Sequence, residues 1–395
     1  MTTSHSLEDV RRQFPALRDK VFLDAACVSL APQCAVDAVR EFLDLALQHP
    51  LPSATAQHIC MDELRAAARP EVARLLNAGE DEIALVESTT HGLAIAAQAI
   101  PLAAGDRVLL CDLEFMQVAI PWLQLPGVAV DAVPHRNGAI FVEDIAARIA
   151  PRTRVVCIST VQWSSGYRVD LAALSALCRE RGVWLVVDAI QQLGAVPIDV
   201  RATPVDFLAC GGHKWLNAPF GCGFLYINRE SLPRLRAPVA GYLSLTTPKG
   251  GWGNYFQTPS ITPVREYDFV PDARRYEIGG TANYPGAIGL AASLKLINSI
   301  GQQAIAGHVH GLTDHLIAGL RSRNIEVVTD FDRAHRAGIV TFSVGSSQQT
   351  LALMEKLLAQ KILVSVRYTS QVGGVRVSCH FFNTQEDIDR LLAAM

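Results

Sequence analysis

The chain has 395 residues, half of them hydrophobic. That is more than one ordinary core uses, so a large domain at 20–285 and a small one at 286–395 are expected, with 1–19 packing against the small one. Lys and Arg number 35 against 38 Asp and Glu, and no block of like charge occurs, which argues against a nucleic acid or an anionic membrane as partner. No segment reaches the ~18 uninterrupted apolar residues of a membrane span. The most apolar stretch, 93–104, is broken by Gln98 and Pro101. The first residues carry charges where a signal peptide needs an apolar run, so a cytoplasmic location is expected. Nine scattered cysteines with no C-x-x-C read as free thiols in a reducing compartment, mostly small buried hydrophobes.

In chain order, seven short runs rich in β-branched residues read as buried strands: DEIALVE (81–87), DRVLLCD (106–112), VAVDAVP (128–134), TRVVCIST (153–160), VWLVVD (183–188), VDFLACG (205–211) and GFLYIN (223–228). Segments with helical spacing lie between them, such as VEDIAARIA and LAALSALCRERG. The alternation predicts an α/β fold, a mostly parallel sheet covered on both faces. GFLYI follows VDFLA too closely for a crossover helix, so it is expected to run antiparallel. From 236 to 285, Gly, Pro, Tyr and Trp cluster in a long loop region. Two helical stretches follow, then IEVV, GIVTFSV, ILVSVRY and GVRVSCH and a last helix, DIDRLLAAM, which suggest a smaller α+β unit.

In open parallel sheets, ligands sit beyond the C-terminal strand ends. Those ends carry Ser88-Thr89-Thr90-His91, Phe115, Gln162, Asp188 with Gln191, and His213-Lys214. Singly, each has an ordinary structural explanation: a helix cap for the hydroxyls and for Asp188, core for Phe115, a snorkelling surface residue for Lys214. Together they are the parts that hold pyridoxal phosphate (PLP): donors for a phosphate at a helix start, a flat aromatic, an acid for the ring nitrogen and a lysine for a Schiff base. No G-x-G-x-x-G follows a strand and no G-x-S-x-G occurs, which disfavours a nicotinamide dehydrogenase and a serine hydrolase. A cofactor-free scaffold would be expected to lose the lysine or the acid. His308, His310 and His315 lie in one predicted helix, and i and i+2 face apart, so no metal site is expected.

The stretch VVDAIQQLGAVPIDV and the block VDFLACGGHKW–GCGFLY resemble the class V aminotransferase family. This is a group of fold-type I PLP enzymes that includes cysteine desulfurases, isopenicillin N epimerase-like proteins, cystine C–S lyases and kynureninase. The resemblance runs from FLDAAC at 22 to FFNTQEDIDRLL at 381–392. It implies a large domain with a mostly parallel seven-stranded sheet plus a smaller α+β C-terminal domain. It implies that Lys214 carries PLP and moves protons, that Asp188 pairs with the ring nitrogen and that Gln191 bonds the phenolic oxygen. Phe115 would stack on the ring, where many relatives have His. Thr89, Thr90 and His213 would hold the phosphate. Gln162 would stand where relatives often have Asn. Arg376 would bind the substrate carboxylate, and Thr281 would reach the phosphate of a neighbouring subunit, implying a homodimer with shared sites.

The persulfide-forming members carry a cysteine on the loop before the substrate-binding arginine. Here that loop, SVRYTSQVGGVR, has none, and Cys379 falls in an apparent strand and reads as core. The resemblance therefore points to a lyase or aminotransferase acting at the α-carbon of an amino acid, with an epimerase-like role as the alternative and a cysteine desulfurase disfavoured.

Overall fold

A computed structural model describes residues 7–395. Short strands recur along the whole chain: β1 (Val21–Phe22), β2 (Ile83–Val86), β3 (Arg107–Cys111), β4 (Ala129–Val133), β5 (Thr153–Ser159), β6 (Trp184–Asp188), β7 (Phe207–Gly211) and β8 (Gly223–Ile227). The C-terminal third adds β9 (Glu326–Val327), β10 (Ile339–Ser343), β11 (Ile362–Leu363), β12 (Ser365–Thr369) and β13 (Val372–Ser378). Strands β2 to β8 are the seven expected from the sequence. They form one sheet in the order β2-β8-β7-β6-β5-β3-β4. Every pairing is parallel except those of β8, which runs antiparallel to β7 and to β2.

The β-branched runs are explained by burial on both faces. Along β5 and β6, Val156, Ile158, Leu185 and Val187 enter one core, while Val155, Cys157 and Val186 enter the other. The period of two thus serves two helical layers at once. Helix Tyr284–Ile300 packs on helices Gln33–Gln48, Ala54–Ala66 and Ala68–Leu76. The boundary expected at 285/286 therefore falls inside a helix that belongs to this layered part.

The remaining strands make a four-stranded antiparallel sheet in the order β12-β13-β10-β9. The run ILVSVRY is split: β11 leaves this sheet and pairs in parallel with β1. Val21 and Leu23 share the core of this smaller unit, so residues just after position 20 pack with the C-terminal part. Arg11 pairs with Asp387 at 2.8 Å, while Phe14 packs on Phe381 and Phe382 within the larger core. Among the described residues no helix is long and apolar enough to cross a membrane.

Candidate active site

The C-terminal ends of the parallel strands open into a cavity of about 330 Å3. Lys214, Asp188, Gln191, His213, Thr89, Thr90, Phe115 and Arg376 all line it. Gln162 and Thr281 do not.

Lys214 lies in the turn that leaves β7. The turn is closed by Gly212 N–H to Cys222 O at 2.8 Å and Asn217 N–H to Lys214 O at 2.9 Å. Trp215, fully buried, donates its indole N–H to Gln191 Oε1 at 2.8 Å, and Gln191 Nε2 donates to Ala26 O at 3.1 Å. The lysine loop, the segment after β6 and the segment after β1 are thus tied together. The protein itself leaves little room at the paired glycines before His213: a Cβ on Gly212 would lie 2.8 Å from that of Ala218, closer than packing allows, and one on Gly211 3.1 Å from Thr89 Oγ1, a tight contact. Burial, opposed by the pull of Asp188 and reinforced by Arg376, lowers the Lys214 pKa to about 8. Its Nζ stands 6.0 Å from the centroid of the Phe115 ring.

Asp188 ends β6, buried, and accepts the N–H of Ile190 at 2.9 Å. Burial raises its pKa to about 6. The charge of Lys214 opposes this rise only in part, and a carboxyl so placed suits a cationic ring nitrogen. At the other end, helix Thr89–Ala99 begins at the cavity with Ser88 as its N-cap, the Oγ accepting from His91 N at 3.1 Å. Thr89 Oγ1 accepts the Gly211 N–H at 2.8 Å, which fixes the helix start against the lysine strand, while Thr90 is exposed. First-turn N–H groups suit a phosphate. His91 accepts the N–H of Glu87 through Nδ1 at 3.3 Å, a bond within its own turn. The ring of His213 stacks on Phe220 at 5.1 Å, and burial lowers its pKa to about 4. The residue set fits PLP at both ends.

Arg376 arrives from the other sheet. It is 1 % exposed and donates to Trp163 O at 3.1 Å and Asp24 Oδ1 at 3.2 Å. Its Nε has no partner. Arg367, Cys27 and Trp163 also line the cavity, and sequence reasoning singled out none of them. Arg367 and Arg376 share one face of the β12–β13 hairpin, where Arg367 is opposite Gly374 and Ser365 opposite Arg376. The turn between them puts Ser370 and Gln371 at φ 47° and 66°, positions that favour Asn or Gly, so the sequence carries no hairpin signal. The expected place of Gln162 in the wall is taken by Trp163. The chain leaves β5 at Ser159 and curls through Gly166 N–H to Gln162 O at 2.8 Å, so strand alternation does not extend to 162. Gln162 is instead buried and donates to Glu114 at 3.1 Å. Glu114 also accepts from the Ser159 backbone at 2.8 Å and from its hydroxyl, and burial raises its pKa to about 7. Cys379 is buried in the smaller core.

The family profile described as Aminotransferase class-V matches residues 21–391, and the chain belongs to that family. It is a PLP-dependent enzyme of the lyase or aminotransferase type. A probable cysteine desulfurase of Methanothermobacter thermautotrophicus is 29 % identical, over 97 % of this chain and 96 % of that one. A mutant of C-DES with glycine covalently linked to its PLP cofactor superposes with a TM-score of 0.85, at 26 % identity over 97 % and 98 % of the two chains. The cystine C–S lyase C-DES in complex with its reaction product, cysteine persulfide, gives 0.84, also at 26 % identity, over 96 % and 98 %.

Proposed function

We propose that this enzyme cleaves a carbon–sulfur bond in a sulfur-bearing amino acid by β-elimination. The observation that carries this reading is the arrangement of cations around the cavity: Lys214, Arg376 and Arg367 face one space, and among the described residues no carboxylate pairs with Arg367. Bound PLP supplies an electron sink conjugated to the substrate's α-carbon. The protein's part is then as follows. Arg376 holds the substrate carboxylate, using a guanidinium already braced by Asp24. Lys214 Nζ carries the cofactor and removes the α-proton, a task served by an amine whose pKa burial brings to about 8. Asp188 keeps the ring nitrogen protonated, Gln191 bonds the phenolic oxygen, and Thr89, Thr90 and His213 hold the phosphate. Phe115 covers one ring face. Arg367 meets the negative charge of a departing sulfur. The similarity to a cystine C–S lyase over nearly the whole chain supports the same reading.

A second copy would complete the site. Thr281 is exposed and outside the wall of its own chain's cavity. Asn283, two residues on, bonds Gly221 O at 2.9 Å beside the 65 % exposed Phe220. This supports Thr281 reaching the phosphate site of a partner in a homodimer.

The test is a visible-absorption titration of the holoenzyme with cystine, cysteine and other β-substituted L-amino acids, with products assayed. Keto acid together with ammonia and a sulfur product is expected. Keto acid with the amino group retained until a second keto acid is supplied would show an aminotransferase and overturn the reading. Release of the D-isomer alone would show an epimerase.

A further inference from the structure

We propose that Glu114 is a positioning residue of this enzyme, whose carboxyl fixes an aromatic corner, Phe115 and Trp163, against one face of the cofactor ring. The inference rests on the reading above that Phe115 covers the ring. Phe115 and Trp163 both line the cavity, and their rings meet edge to face with centroids 5.5 Å apart. Core packing does not hold Phe115: it is 42 % exposed, and it precedes helix Met116–Leu123 without capping it through its side chain. Both rings are instead carried by backbone next to one buried carboxyl. Phe115 directly follows Glu114. Trp163 directly follows Gln162, which donates to Glu114 Oε1 at 3.1 Å.

Glu114 gathers four hydrogen bonds at the end of the sheet. Besides Gln162, Oε1 accepts the Ser159 N–H at 2.8 Å and the Cys111 thiol at 3.3 Å, and Oε2 accepts the Ser159 hydroxyl. Cys111 ends β3 and Ser159 ends β5, but the ladder between these strands runs only as far as Leu109 and Val156. Beyond that point the carboxyl links the two strand ends that lead to the aromatic corner. Ser159 also lines the cavity and lies opposite Asp188 across the sheet. One carboxyl thus steadies the ring face beside the acid for the ring nitrogen.

The four donors are uncharged, a setting that penalises a carboxylate. Burial raises the Glu114 pKa to about 7, and it keeps Cys111 a thiol by holding its pKa well above the ordinary value. The hub therefore does not need the negative charge. An oxygen in place of Oε1 keeps three of the bonds. A donor in place of Oε2 keeps the fourth, because the Ser159 hydroxyl can accept as well as donate. Glutamine offers both groups and alanine offers neither.

The experiment measures PLP affinity and the visible circular dichroism of the bound cofactor, which reports how the ring is held. Glu114→Ala is expected to weaken PLP binding about tenfold and to reduce the dichroism. Glu114→Gln should restore both. Glu114→Leu fills the space without the bonds and replaces the alanine variant if that one does not fold. Leu174→Ala, in the larger core on helix Leu171–Arg181, controls for lost stability: it should lower the melting temperature and leave the dichroism unchanged. The route is tested in a Phe115→Ala background, where Glu114→Ala should add less than about twofold, since independent sites would repeat the full loss. A glutamine variant as impaired as the alanine variant overturns the proposal, as does a full loss in the Phe115→Ala background. Equal loss of dichroism in Leu174→Ala overturns it too. If Phe115→Ala alters the dichroism and Glu114→Ala does not, the ring-cover reading stands and only this proposal falls. If Phe115→Ala alters nothing, both fall together.

Discussion

Lys214 is a lysine whose surroundings work against its charge. Burial is the largest influence on it, Arg376 adds to it, and the attraction of Asp188 does not restore the balance, leaving the pKa at about 8. The ammonium is the form that burial penalises, so the free amine becomes dominant above about 8 rather than above the ordinary lysine value of ~10.4. In the apoprotein, Lys214 should therefore react with pyridoxal first among the lysines. Borohydride trapping followed by peptide mapping would measure this as a function of pH. Half-maximal labelling of Lys214 is expected near pH 8. Equal labelling of Lys214 and the surface lysines at neutral pH would contradict the assignment.

At the scale of elements, the site depends on close passage of backbone past backbone. Gly194, in the turn after β6, has φ +93°, and a Cβ there would stand 2.1 Å from the carbonyl oxygen of Trp215. Trp215 is the neighbour of Lys214 and donates to Gln191, so a push at 194 displaces the lysine loop and the cofactor-facing amide together. Gly194→Ala is expected to cost on the order of 2 kcal/mol or more and to weaken PLP binding. Gly182→Ala is the control. Gly182 also has positive φ, at the end of helix Leu171–Arg181, but nothing lies within 4 Å of an added Cβ. It should lose only about 1 kcal/mol and bind PLP normally. Equal melting temperatures for the two variants would remove the steric argument. The same contrast shows what the sequence makes legible. The seven strands are readable because each is buried on both faces, which forces continuous β-branched runs. Asp188, His213 and Lys214 are readable because they directly follow such runs. Cys27, Trp163 and Arg367 are not, because a turn after β5, a hairpin with Ser and Gln at its tip and a strand shared between distant segments place them. Local periodicity does not reach across such turns, and Gln162, just past the end of β5, is buried against Glu114.

For the whole molecule, the cavity is a meeting of two sheets. The parallel sheet supplies Lys214 and Asp188, and the antiparallel one supplies Arg376 and Arg367 on the hairpin that also bonds Asp112 O through Ser370 at 2.7 Å. Substrate binding and cofactor chemistry thus depend on how these parts sit together. The proposed second copy extends that dependence across a subunit boundary. Helices Gln33–Gln48 and Ala54–Ala66, packed on helix Tyr284–Ile300, expose Leu43, Leu47, Ile59 and Leu64, apolar surface that a partner would bury. Sharing of sites has a consequence that neither chain shows alone. On the proposed arrangement, Lys214→Ala would disable the site that holds the substituted lysine, and Thr281→Ala would weaken the site of the opposite chain. In a mixed dimer of the two variants, one site receives both defects and the other receives neither. Co-expressing the variants with different tags and isolating the doubly tagged dimer should therefore recover about half of the wild-type cofactor content and turnover. If Thr281 served the site of its own chain, each site of the mixed dimer would keep one defect and nothing would be regained. A doubly tagged species that cannot be isolated because the protein is monomeric would remove the shared site altogether.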